Sequence, residues 1–104
     1  MDTQELLNRI KPLLQEVYGP QLKKVILYGS EVRGNARTDS DVDVLVLLEK
    51  VEDYGKSLRK NIDALYDLSL ELGRRISAKP IDINEFEKID CPLYRHALHE
   101  GLVA

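Results

Sequence analysis

Apolar residues recur at steps of three and four between Thr3 and Val17, at Leu6, Leu7, Ile10, Leu13, Leu14 and Val17, which predicts a helix with one buried face. Gly19-Pro20 ends it, and Pro12 predicts a kink or a late start because an interior proline removes a backbone hydrogen bond. The period then shortens. Residues 23–28, Lys-Lys-Val-Ile-Leu-Tyr, form a β-branched and apolar run that predicts a strand entering a tight turn at Gly29. Ser30 followed by Glu31 resembles a helix N-cap with an acidic first turn, so one or two helical turns are expected over 31–36.

From Asp41 to Leu48 the chain reads Asp-Val-Asp-Val-Leu-Val-Leu-Leu, apolar enough for a central strand. An acidic loop over 49–55 precedes a helical face traced by Leu58, Ile62, Leu65, Ser69 and Leu72 and closed near Gly73. A third strand is expected over 76–84, with Pro80 placing its first half at an edge or bulge. An amphipathic piece over 92–100 completes the order helix, strand, small helix, strand, helix, strand, helix. That order predicts an α/β (α+β) fold in which a small mixed sheet carries packed helices.

Composition narrows the setting. At 104 residues one domain spanning the whole chain is expected, without repeats or linkers. The net charge of −3 argues against a surface that blankets nucleic-acid phosphates. The single cysteine, Cys91, has no second thiol for a disulfide or a zinc site and reads as a packing residue. Neither a signal peptide nor a long apolar run is present, so the expectation is a cytoplasmic protein without membrane contact.

The chemistry concentrates between Gly29 and Asp43. Side chains alternate along a strand, so Asp41 and Asp43 project from one face while Val42 and Val44 project from the other. Two carboxylates that close raise each other's pKa unless a cation neutralises them, and hard oxygen ligands suit Mg²⁺ or Mn²⁺. Upstream, Gly29 permits a close backbone approach and Ser30 offers a hydroxyl beside the free amides of a helix N-terminus, a cradle sized for phosphate. Asp39, Asp41 and Asp43 also mimic the start of a calcium loop, but Val44 and Lys50 stand where that loop needs glycine and glutamate. Arg33 and Arg37 are candidate phosphate or acceptor contacts, or solvated helix charges. Asp39 and Ser40 read as turn residues. Lys23, Lys24, Arg74, Arg75, His96 and His99 read as surface groups, and Tyr66 and Tyr94 as core or interface residues.

Gly29-Ser30, ten residues, then Asp41-Val42-Asp43, with Arg33-Gly34-Asn35-Ala36-Arg37 and Ser40 between them, resembles the signature of the DNA polymerase β-like nucleotidyltransferases, and most closely their minimal family, MNT. The resemblance implies the polymerase β-like fold and transfer of a nucleoside monophosphate, AMP from ATP, to a hydroxyl. Asp41 and Asp43 would hold the metal. Gly29 and Ser30, with Arg33, Arg37 and Ser40 as candidates, would hold the nucleotide.

It also implies a third carboxylate on a neighbouring strand, and Asp82 is the candidate: if Ile81 and Ile83 face the core, Asp82 faces the aspartate pair. The family's typical partner is a HEPN toxin modified on a tyrosine, so the resemblance implies the antitoxin of a type VII toxin-antitoxin pair, working in a hetero-oligomer. A competing class is an antitoxin that keeps the fold and acts by occlusion alone, and loss of Asp82 from the site would favour it. A subunit of an aminoglycoside nucleotidyltransferase would need a dimer-built antibiotic pocket, for which no motif is present.

Overall fold

A computed structural model describes residues 2–28, 41–88 and 101–104. The helix expected over 31–36, the terminal piece over 92–100, and Gly29, Ser30, Arg33, Arg37, Asp39, Ser40, Cys91, Tyr94, His96 and His99 lie outside them.

Helix α1, Thr3–Tyr18, is capped by Asp2, whose Oδ1 accepts the Glu5 amide at 2.8 Å. Pro12 lies inside it without ending it. Gly19 closes the helix at φ 57, a left-handed backbone that a side chain would strain. The buried positions are Leu6, Leu7, Ile10, Leu14 and Tyr18, whereas Val17, expected on the apolar face, is 42% exposed. A 3₁₀ turn, Gly19–Gln21, leads into strand β1, Leu22–Tyr28.

Strand β2, Val42–Leu48, pairs antiparallel with β1 and parallel with strand β3, Ile76–Asp82. Between β2 and β3 runs helix α2, Tyr54–Leu72, whose Asp53 cap accepts the Lys56 amide at 3.1 Å and whose Gly73 terminator sits at φ 63. Helix α3, Ile83–Lys88, follows β3 directly, so the strand expected to reach residue 84 stops at Asp82. The reason is local: Asp82 Oδ1 accepts the Asn84 amide at 2.8 Å and turns the backbone out of the ladder. Strand β4, Leu102–Val103, joins the far side of β1, giving the order β3-β2-β1-β4. Pro80 sits in an edge strand, as its missing N–H requires, and the register passes through it without a bulge.

Both faces of this mixed sheet are covered. Val25, Leu27, Val42, Val44, Val46, Leu48 and Ala78 pack beneath α1 and α2. Ile26, Tyr28, Leu45, Leu47 and Ile81 form a second cluster on the opposite face, against Ile83 and Phe86. On α2 the buried positions are Asn61, Leu65 and Leu68, while Ile62, expected inward, is 50% exposed.

Asn61 explains that rotation. Its Oδ1 accepts the Tyr18 hydroxyl at 2.5 Å and its Nδ2 donates to the Ala78 carbonyl at 3.0 Å, a polar tie joining α1, α2 and β3. A buried amide left unbonded would cost about 1–3 kcal/mol, so the helix settles where Asn61 is satisfied. At the surface, Arg9 and Glu71 bridge the two helices at 2.5 Å.

Candidate functional site

The strand ladders fix which side chains share a face. Cα partners across a ladder point the same way, so the row at the start of β2 holds Tyr28, Asp43 and Ser77. The next row holds Ile26, Leu45 and Lys79, and the third Lys24, Leu47 and Ile81. Asp43 is half-buried, while Asp41, one residue before the strand, is exposed. Val42 and Val44 are fully buried on the other face, so the pleat turns the aspartates away from the α1/α2 core. The Val42 amide donates to the Arg75 carbonyl at 2.8 Å, which anchors the strand where the pair sits.

The antiparallel pairing of Tyr28 with Asp43 makes β1 and β2 neighbours and ends β1 at the end of the sheet that carries Asp43. Gly29, Ser30, Arg33, Arg37 and Ser40 themselves lie outside the described residues. The chain therefore leaves β1 beside Asp43 and re-enters the sheet just before it.

Asp82 does not join this group. It pairs with Leu48, five residues further along both strands than the Asp43–Ser77 pair, a separation of about 17 Å at the usual strand rise. It also belongs to the alternate set of Val42, Val44, Val46 and Leu48, on the sheet's opposite face. The expectation that it completes the carboxylate site is corrected on both counts.

Its basis was that Ile81 and Ile83 flank it on one strand face, but Ile83 is the first residue of α3. Asp82 instead lines a polar cleft of about 710 Å³ at the far end of the sheet, with Tyr18, Glu49, Lys56 and Lys60. The polar residues of β3 that do share the Asp43 face are Ser77 and Lys79, both half-buried. Counting by twos from Asp43 across a parallel register would have found them. That register is absent from the sequence.

Asp41 and Asp43 fit a divalent cation held by one or two carboxylates, with substrate phosphates and water completing the shell. No group of three or more His, Cys, Asp or Glu side chains that could hold a metal ion exists among the described residues.

Residues 8–103 match the family described as "Polymerase beta, Nucleotidyltransferase". The fold is thus that of a nucleotidyltransferase, an enzyme of the transferase class. Two curated relatives narrow this. The chain is 31% identical to MJ0604 of Methanocaldococcus jannaschii, named among the protein adenylyltransferases, over 99% of this chain and 98% of that one. It is 34% identical to protein adenylyltransferase MntA of Thermococcus cleftensis, over 75% of this chain and 79% of that one. A solved structure described as a toxin-antitoxin with AMP-PNP has the same fold, with a TM-score of 0.67 and 21% identity over 92% of this chain and 69% of that one. The chain belongs to the polymerase β nucleotidyltransferase family, among its minimal members. No helix among the described residues is long and apolar enough to cross a membrane.

Proposed function

We propose that this chain transfers AMP from ATP to a hydroxyl of a protein partner, a tyrosine of a HEPN-type toxin, and acts as the antitoxin of that pair. The observation that carries the reading is the Tyr28–Asp43 pairing, which sets the end of β1 beside the second residue of the strand that Asp41 immediately precedes. The names of the relatives agree with it: two protein adenylyltransferases, and a toxin-antitoxin structure with a nucleotide analogue.

In this reading Asp41 and Asp43 hold Mg²⁺ or Mn²⁺, with Gly29 and Ser30 around the triphosphate and Arg33, Arg37 and Ser40 as further contacts. A bound divalent cation offsets the negative charge of the phosphoryl transition state. The acceptor oxygen attacks the α-phosphorus, the bond to the bridging oxygen breaks, pyrophosphate leaves and the hydroxyl proton passes to solvent. The chain's own residues position the reactants; the acceptor is presented by the partner in a hetero-oligomer, in the cytoplasm.

The position of Asp82 favours a second reading, in which the fold neutralises its partner by occlusion without transfer. Incubation with labelled ATP, Mg²⁺ and the product of the adjacent gene separates the two. Label should pass to the partner with the wild type and not with Asp41→Ala/Asp43→Ala. Absence of label, with the partner still inhibited, selects occlusion.

A further inference from the structure

We propose that Lys79 is a phosphate-contacting residue of the nucleotide site, supplying positive charge on the strand where a third carboxylate was expected. The inference rests on the nucleotide reading of the Asp41/Asp43 end and adds a residue to it.

Three observations carry it. First, Lys79 pairs with Leu45 and Ser77 with Asp43 in an unbroken parallel register, so Lys79 shares the Asp43 face and stands one row away on the adjacent strand. With strands about 4.8 Å apart and a two-residue rise of about 6.6 Å, the diagonal between the two positions is about 8 Å. A flexible four-carbon stem spans that gap to anything held above Asp43. Second, Lys79 is half-buried and has no ion-pair partner among the described residues. Third, the other cation this face carries in the described ladder rows is Lys24, exposed and one row more distant.

A triphosphate laid beside two carboxylates concentrates negative charge, and a lysine is a common phosphate partner acting as a point charge. A carboxylate at this position would add to that repulsion unless a further cation accompanied it. The ammonium offsets it directly. The site then needs fewer metal ions than a three-carboxylate arrangement.

The test measures binding of α,β-methylene-ATP with Mg²⁺ by calorimetry for wild type, Lys79→Ala and Lys79→Arg, with thermal unfolding of each. Lys79→Ala should weaken binding about ten- to a hundredfold at an unchanged unfolding midpoint, and Lys79→Arg should restore most of it. Titration of Mn²⁺ without nucleotide gives an independent readout. Lys79→Asp should tighten Mn²⁺ binding more than Lys79→Ala, which only removes the ammonium's repulsion, because a carboxylate facing Asp43 can add a ligand there. Equal analogue affinity in wild type and Lys79→Ala overturns the proposal while leaving the nucleotide reading standing. So does a loss that arginine fails to rescue, or Mn²⁺ affinity unchanged in Lys79→Asp, as expected if the stem turns instead toward α2. Failure of the wild type to bind the analogue overturns both.

Discussion

Tyr28 and Asp43 are Cα partners in the antiparallel ladder of β1 and β2, so the last residue of one strand stands beside the second aspartate of the other. Everything proposed for the site follows from that pairing: it sets Asp43 beside the end of β1 and determines which face of the sheet the chemistry uses.

The first expectation contrasts two aspartates. Asp43→Ala should lower AMP transfer by at least about a hundredfold, the scale at which a metal-site carboxylate matters. Asp82→Ala, on the other face and at the other end, should leave transfer within about twofold while costing about 1 kcal/mol of stability through the lost cap on Asn84. Radiolabel transfer and denaturant titration of both variants check the pair. Equal loss of transfer in both would refute the assignment.

Asn61 should be a stability residue. Asn61→Ala strips the Tyr18 hydroxyl and the Ala78 carbonyl of their buried partner, for a loss of about 2–3 kcal/mol in urea unfolding.

Alkaline pH should weaken the same tie. Burial raises the Tyr18 pKa above its ordinary value, because the phenolate is disfavoured away from water. A group whose folded pKa is raised contributes stability that is complete below the unfolded value, about 10 for tyrosine, and is lost as pH rises through the folded one. Tyr18→Phe should therefore flatten the alkaline limb of the stability profile. An alkaline limb as steep as that of the wild type would exclude Tyr18 as its source.

Two neighbouring α1 positions should differ sharply. Leu14 is fully buried and Leu14→Ala should cost about 2–5 kcal/mol, whereas Val17 is 42% exposed and Val17→Ala should stay within about 0.5 kcal/mol. Thermal unfolding of the two variants decides this.

The element order was legible because local signals agreed. Three-and-four spacing marked α1, β-branched runs marked β1 and β2, and Gly73 closed α2 as a left-handed cap. Helix α2 starts at Tyr54, inside the loop expected over 49–55, because Asp53, a standard N-cap type, caps it there. Val17 and Ile62 were placed inward on spacing alone, and the structure turned both helices so that Tyr18 and Asn61 could bond each other. A polar pair across two helices leaves no periodic trace.

For the aspartate pair, the sequence by itself sufficed to put Asp41 and Asp43 at a strand start behind Gly29-Ser30, because alternation along a strand and the spacing of a turn are local properties of the chain. The face and depth of β3 were decided only by tertiary structure. Both faces of the sheet are apolar, so the alternation around Ile81 named no direction, and a parallel register joins strands separated by a whole helix. That register moved Asp82 away and put Lys79 in the row beside Asp43's.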